Sequence, residues 1–138
     1  RKKLLRNRFK TAIEDLSKDK KIILLYPSPV SPISIFERIQ KNKKIIFENP
    51  NYYLDDIVNY ELEFHRKYFY EEIKLLNGIN SKNIYKINLE KIFCPKDRCF
   101  LYNDKNIYIF DRNHPSHYAS EKINDLIIQE IRKIEEEN

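Results

Sequence analysis

The chain is 138 residues long, 41% hydrophobic and 34% charged, which is the size and balance of one soluble domain with a single core. Its net charge is +5, but the first ten residues carry six positive charges and no acid, so the rest of the chain sums to −1. A nucleic-acid binder more often spreads a basic stripe through its fold, so this distribution argues against that class.

Two absences indicate that the chain is part of something longer. It contains no methionine, and its single glycine is Gly78. A glycine-rich nucleotide motif is therefore excluded, and the sharp turn that usually carries a catalytic nucleophile is not encoded here. No apolar run approaches the roughly 20 residues of a membrane-spanning helix. We expect one domain over residues 1–138, the C-terminal portion of a larger domain.

Residues 1–17 are predicted to form an amphipathic helix, with Leu5, Phe9, Ile13 and Leu16 at helical spacing. We interpret its basic residues as a solvated face, and the alternative is contact with an anionic glycan or lipid surface. They are Arg1, Lys2, Lys3, Arg6, Arg8 and Lys10.

A continuous apolar run at 21–26 predicts a buried parallel strand, which the proline-rich loop 27–32 ends. Residues 33–40 suit one or two helical turns, and 44–47 suit a short strand or a packed loop. A break at 49–51 precedes the longest predicted helix, 54–77, for which Gly78 is the expected left-handed C-terminal cap.

Apolar and polar residues alternate at 84–89, which predicts a half-buried strand. A small hairpin is predicted from two apolar segments, 100–102 and 107–110, on either side of the turn 103–106. A last helix follows Ser116, and its predicted inner face is Ile123, Leu126, Ile127, Ile131 and Ile134. The order of helices and strands indicates an α/β fold.

Asp111 and His114 lie where the last apolar strand gives way to this helix, and ligands of α/β folds collect at such strand ends. A carboxylate three residues before a histidine can accept one imidazole N–H and leave the other nitrogen as a base. The pattern alone is weak, because a capping aspartate beside a surface histidine would look the same.

Other polar residues have simpler interpretations. Ser116 suits an N-cap, and Ser28, Ser31 and Ser34 lack the neighbouring glycine of a nucleophile turn. His117 could in principle join Asp111 and His114 around zinc, but the three-residue spacing is poor for that, and we expect no metal and no cofactor. His65 is expected at a surface or an interface.

Cys94 and Cys99 are the only cysteines, with four residues between them. A disulfide is sterically plausible at this spacing and would indicate an oxidising compartment. The alternative is two free, half-buried thiols.

The stretch Cys94-Pro95 … Cys99, then Asp111-Arg112-Asn113-His114-Pro115-Ser116 and a terminal helix, resembles the end of SGNH hydrolase domains. The closest likeness is to the SGNH domain fused to bacterial integral-membrane O-acyltransferases. That family typically shows Asp-x-x-His-Leu-Ser-x-x-Gly, whereas Pro115 and Ala119 stand here for leucine and glycine. No Gly-Asp-Ser is present.

The resemblance implies a flavodoxin-like three-layer α/β/α fold that is incomplete, lacking its N-terminal strand and nucleophile turn. It implies that His114 is a general base, that Asp111 orients it, and that Cys94 and Cys99 form a structural disulfide. We expect these residues to contribute to acetyl transfer, through a serine ester, onto a cell-envelope glycan acceptor.

The same resemblance implies an acyl donor supplied by a membrane-embedded domain of the parent protein, on the extracytoplasmic (periplasmic or cell-surface) side. The alternatives are a carbohydrate esterase and a non-catalytic module that binds glycan or a partner protein. The isolated chain is expected to be inactive, because the nucleophilic serine is absent.

Overall fold

The computed structural model describes residues 1–31, 33–48, 58–103 and 106–136. The helices are α1 (Lys2–Leu16), α2 (Ile35–Glu48), α3 (Leu62–Tyr68), α4 (Tyr70–Asn77), α5 (Glu90–Phe93) and α6 (His117–Glu136). The strands are β1 (Ile22–Leu25), β2 (Tyr60–Glu61), β3 (Ile84–Ile87), β4 (Arg98–Cys99), β5 (Tyr102–Asn103) and β6 (Asn106–Ile107). Within these ranges, no helix is both long and apolar enough to cross a membrane.

The α/β class is confirmed by a parallel pair, β1 with β3, in which Ile22 is opposite Ile84 and Leu25 is opposite Ile87. Hydrogen bonds at both ends fix this register: the N–H of Ile22 donates to Asn83 at 2.8 Å, and that of Tyr26 donates to Ile87 at 3.0 Å. Because alternate side chains of a strand point to opposite faces, Ile23 meets α6 while Tyr26 faces α4.

The core lies between this pair, the hairpin and α6. Phe93 is fully buried and packs edge-on against Tyr108 with the ring centroids 6.0 Å apart, and Tyr108 packs in turn on Tyr118 at 5.2 Å. Cys94 and Cys99 are 5% and 0% exposed and form a disulfide, which confirms the expected pairing. The bridge joins the end of α5 to β4.

Several predicted elements are confirmed. The first helix, the strands at 22–25 and 84–87 and the last helix are present, and the hairpin forms by antiparallel pairing of β5 with β6. Four parts of these predictions lie outside the described residues: Pro32, the break at 49–51, positions 54–57 of the predicted long helix, and the turn residues 104 and 105.

Other predictions were wrong. Residues 44–47 belong to α2 and not to a strand. The helix predicted to 77 is two helices separated at Phe69, and it is preceded by β2, which pairs with β4. Long-range pairing with the disulfide segment overrides the helical pattern at 60–61.

Gly78 does end α4, but with φ −77° and ψ −8° it is right-handed, so the prediction of a left-handed cap was wrong. Its N–H donates to the carbonyls of Lys74 and Leu75, both at 3.1 Å, and that of Ile79 donates to Leu76 at 3.3 Å. The last turn therefore tightens and satisfies the terminal carbonyls without a positive φ.

Asn59 holds the hairpin in place through its side-chain amide, which is buried. Its Oδ1 accepts from the backbone N–H of Leu101 at 2.8 Å and of Tyr102 at 3.1 Å, and its Nδ2 donates to the Tyr102 carbonyl at 2.7 Å. One side chain thus provides hydrogen-bond partners for three backbone groups at the base of the hairpin that would otherwise be buried without them.

Asn59→Ala should lower the free energy of unfolding by about 3 kcal/mol, because it leaves buried backbone groups without partners. Urea denaturation measures the change. Asn7→Ala on the exposed surface of α1 is the matched control and should stay within about 0.5 kcal/mol of the parent. An equally small loss for Asn59→Ala would contradict this account.

His65 was expected at a surface or interface but is 1% exposed, packed against Phe69 with the ring centroids 5.1 Å apart. It lies one turn after the buried Leu62 on α3, so both side chains point inward. Burial lowers the pKa of His65, and this outweighs the opposite influence of Glu90. The imidazole is therefore held in its neutral form.

Stability should consequently depend on pH through His65. Since the pKa in the folded state lies below the unfolded value of 6.5, the unfolded chain binds the proton more readily as the pH falls. The free energy of unfolding should be highest above pH 6.5 and should fall below it, towards the folded pKa. Urea denaturation between pH 7 and pH 5 measures this slope. His65→Phe should flatten it; an unchanged slope would show that other groups cause it.

Candidate active site

The Asp111–His114 loop is closed at its base by backbone pairing. The N–H of Phe110 donates to the His114 carbonyl at 2.8 Å, and Ile109 and Pro115 form an isolated antiparallel bridge. The N–H of Ser116 then donates to the Tyr108 carbonyl at 2.9 Å. The buried Tyr108 and Ile109 thus anchor a short loop whose tip projects from the core.

Asp111 uses its two carboxylate oxygens for different purposes. Oδ1 accepts hydrogen bonds from the backbone N–H groups of Arg112, Asn113 (2.9 Å) and His114 (3.0 Å). Oδ2 lies 2.7 Å from Nδ1 of His114. One oxygen therefore shapes the loop, while the other fixes the orientation of the imidazole.

This arrangement keeps the Asp111 carboxyl ionised. The backbone N–H of Asn113 and the imidazole of His114 hold the pKa of the Asp111 carboxyl far below its usual range, with a further contribution from the His114 N–H. A carboxylate beside Nδ1 favours the tautomer in which Nδ1 carries the proton. Nε2 is then a lone-pair acceptor.

His114 is open to solvent, with 73% of its side chain exposed, against 41% for Asp111. In the described part of the chain nothing hydrogen bonds to Nε2. The structure thus brings Asp111 and His114 together as a pair with a free basic nitrogen. It does not place a serine against that nitrogen.

Ser116 is the N-cap of α6, as its position predicted. Its hydroxyl donates to the Ile107 carbonyl and accepts from the N–H of Ala119 at 3.2 Å. The N–H of Ser120 also donates to the Ser116 carbonyl at 2.8 Å. With its hydroxyl engaged on both sides, Ser116 anchors the helix and is unsuited to act as a nucleophile.

The loop that follows β1 touches the candidate site, a contact that the sequence pattern did not indicate. The N–H of Ser31 donates to the Arg112 carbonyl at 2.7 Å, and the buried hydroxyl of Ser31 has no hydrogen-bond partner among the described residues. A cavity of about 350 Å³ opens here, lined by Val30, Ser31, Phe64, Tyr68, Arg112 and Asn113. These contacts join residues more than 30 positions apart, so no local motif could reveal them.

The zinc alternative is not supported. His117 is turned towards Glu121, with Nδ1 and Oε1 3.5 Å apart, and 89% of its side chain is exposed. Among the described residues no group of three His, Cys, Asp or Glu side chains is arranged to hold a metal ion. Cys94 and Cys99 are committed to their disulfide.

Comparison with known proteins gives one match. The model of the family described as "SGNH domain (fused to AT3 domains)" matches residues 2–129. No curated protein and no solved structure matches the chain. The matched range takes in the parallel pair, the disulfide, the Asp111–His114 loop and most of α6. The chain therefore belongs to the family of SGNH domains that are fused to AT3 domains.

Proposed function

We propose that Asp111 and His114 are the base half of an acyl-transfer site that moves an acyl group, such as acetyl, onto a hydroxyl of a cell-envelope polysaccharide. The observation that carries this proposal is the 2.7 Å contact between Oδ2 of Asp111 and Nδ1 of His114, which leaves Nε2 free. The nucleophilic serine would come from a segment outside these 138 residues. Family membership supports acyl-transfer or esterase chemistry.

The proposed reaction has two half-reactions. Nε2 of His114 takes the proton from the serine hydroxyl as its oxygen attacks the acyl carbonyl, and the imidazolium then protonates the leaving group of the donor. A sugar hydroxyl next attacks the serine ester; its proton passes to Nε2 and then to the serine oxygen. Asp111 stays ionised throughout, because its pKa is held low, and stabilises each imidazolium.

The free edge of β1 is the proposed entry point for the missing segment. In a parallel pair alternate residues bond to opposite sides, so Ile22 and Tyr26 bond towards β3 while the backbone groups of Ile23 and Leu25 face the other edge. No described residue bonds to them there. A strand with unpaired backbone groups is a template for a further strand.

Apolar surface flanks this edge. On the α6 side a groove of about 560 Å³ is lined by Lys21, Ile23, Ile131, Ile134 and Glu135, and Leu25 is 40% exposed. Ile131 was predicted on the inner face of α6 but is 41% exposed. The stripe predicted for α1 is similarly uncovered, with three large side chains about half exposed: Leu5, Phe9 and Leu16.

We infer that a further strand pairs with β1 and a connected helix covers the adjoining apolar surface, extending the fold to the three-layer α/β/α form. If that strand is parallel, its carboxyl end lies beside the loop from Tyr26 to Ser31, which contacts Arg112. A serine at that end would thus be delivered to the same side of the sheet as His114.

The cavity beside Arg112 is the proposed acceptor pocket. Phe64 and Tyr68 line it and stack with the ring centroids 6.3 Å apart and the ring planes at 26°. Their side chains are 54% and 61% exposed, so an aromatic platform is available to the apolar face of a sugar ring.

The acyl donor would be a membrane-embedded AT3 domain of the same protein, which fits the fusion that defines the family. The disulfide favours an extracytoplasmic location, because such bonds persist in oxidising compartments. A carbohydrate esterase is the second candidate, favoured by one observation: His114 is 73% exposed, so water could serve as acceptor.

The coding sequence upstream of Arg1 provides the first check. A Gly-Asp-Ser segment at the end of a strand, preceded by apolar spans, is expected there. An initiator methionine a few codons upstream, with no such serine, would overturn the proposal of a supplied nucleophile.

In the protein that contains this segment, His114→Ala should reduce kcat for acetyl transfer or aryl-acetate hydrolysis on the order of 10³-fold, because the base is lost. His117→Ala is the matched control, since it removes an exposed histidine three residues away, and it should leave kcat unchanged. The 138-residue chain alone should show no His114-dependent hydrolysis. Equal activity of the two variants would refute the role of His114.

The proposed covering of the groove beside the free edge of β1 can be tested with Ile131→Glu. The 138-residue chain should change by no more than about 0.5 kcal/mol in its free energy of unfolding, because the side chain is partly exposed. The longer protein should lose about 2 kcal/mol or more, because the added strand and helix would bury the charge. Gln129→Glu, also exposed on α6, is the control for both proteins. Identical responses to Ile131→Glu would rule out coverage of this groove.

A further inference from the structure

A second cleft, of about 410 Å³, opens at the carboxyl end of the β1–β3 pair on the side of α4. Tyr26 and Asn88 lie just beyond the ends of the two strands, and Tyr70 and Asn77 face them from α4. None of its lining residues is shared with the cavity beside Arg112. Ligands of open α/β sheets bind outside the carboxyl ends of strands, which is where this cleft lies.

Among the residues lining the cleft, Lys86 carries a positive charge that no described carboxylate neutralises. The Lys86 ammonium donates to the Asn77 carbonyl and to Oδ1 of Asn80, both at 3.3 Å, and these acceptors are neutral. Within the described ranges no carboxylate pairs with it. Arg66 and Glu90, also in the lining, neutralise each other through hydrogen bonds of 3.1 and 2.7 Å.

Its other walls suit a polyhydroxylated ring. Tyr70 is 57% exposed, and the ammonium of Lys74 lies over its ring, 5.6 Å from the centroid, which adds a second cation beside the cleft. Tyr26 is half-buried, and its hydroxyl is bonded to the side chain of Asn77, which fixes both groups. The Asn77 oxygen accepts from Tyr26, which leaves its amide nitrogen to donate to a ligand hydroxyl. Asn88 accepts from the Glu90 N–H at 2.9 Å and donates to the Glu90 carboxylate at 3.4 Å, so one N–H and one lone pair of its amide remain for a ligand.

We propose that this cleft binds an acidic sugar residue, a pyranose ring that carries a carboxylate. The ring would stack on Tyr70, the carboxylate would contact Lys86, and the hydroxyls would bond to Asn77 and Asn88. A ring without charge would give the Lys86 ammonium no counter-ion, and a small anion would make no stacking contact with Tyr70. Both features are therefore required together.

The link to catalysis rests on the proposed function. Ser31, whose N–H donates to the Arg112 carbonyl, is five positions after Tyr26 in this cleft, so the two Cα atoms are at most about 18 Å apart. A polysaccharide chain of a few sugars could occupy both places. An acidic sugar held in the cleft would then position the hydroxyl of a nearby sugar at His114.

Titration of the ¹⁵N-labelled 138-residue chain with D-glucuronate, followed by NMR, tests the binding itself. Saturable shifts are expected at Tyr26, Tyr70 and Lys86, with Kd of the order of 1 mM. Methyl glucoside, which lacks the charge, and acetate, which lacks the ring, should each bind at least about fivefold more weakly. Shifts of equal size with acetate, or no shifts in the cleft with glucuronate, would overturn the proposal.

Lys86→Gln should raise the Kd for glucuronate roughly tenfold, the typical contribution of one charge-assisted hydrogen bond. Lys91→Gln is the matched control, because Lys91 is exposed nearby but does not line the cleft, and its Kd should be unchanged. Tyr70→Ala, at an exposed position, should also weaken binding. Equal affinities for the two lysine variants would refute the site.

The His114→Ala variant should bind glucuronate as the parent does, so the proposal for the cleft and the proposal for catalysis can be refuted independently. Glucuronate binding by a protein whose acetyl transfer does not depend on His114 would refute the proposed function alone. His114-dependent transfer without glucuronate binding would refute the cleft alone.

Discussion

The candidate site depends on the double use of the Asp111 carboxylate. Its Oδ1 gathers three consecutive backbone N–H groups, and its Oδ2 holds Nδ1 of His114 at 2.7 Å. The same hydrogen bonds that fold the loop hold the pKa of Asp111 low, so the loop geometry and the negative charge are maintained together. Replacing the carboxylate would therefore disturb both the imidazole and the backbone that carries it.

The loop is anchored at both ends in the buried core. Tyr108 and Ile109 are buried on one side of it, and Ser116 caps α6 on the other. Asn59 bonds to the same hairpin from a distant part of the chain. The Cys94–Cys99 disulfide links the end of α5 to β4, the strand that pairs with β2. The base of the loop is thus well supported. By contrast, no described residue pairs with the outer edge of β1, and several apolar side chains of α1 and α6 are only partly buried.

The sequence was sufficient to predict the elements whose signals are local. The parallel strands, the last helix, the Ser116 cap and the Asp111–His114 contact follow from spacing within a few residues. The errors have non-local causes: pairing of Tyr60 with Cys99 interrupts the predicted long helix, and packing buries His65. The cavity beside Arg112 was missed because Ser31 and Tyr68 reach Arg112 only through tertiary folding.

The exposure of His114 bears on which reaction the complete site performs. A transferase must keep water from the serine ester until the sugar arrives, and a nitrogen on a side chain 73% exposed does not do so by itself. Phe64 and Tyr68 lie to one side of the loop, so under the proposed function the cover over Nε2 comes from the acceptor or from the proposed serine-bearing segment. A segment that left Nε2 in water would make an esterase from the same two residues. The choice between the two reactions thus lies in how His114 is covered, since the Asp111–His114 geometry suits both.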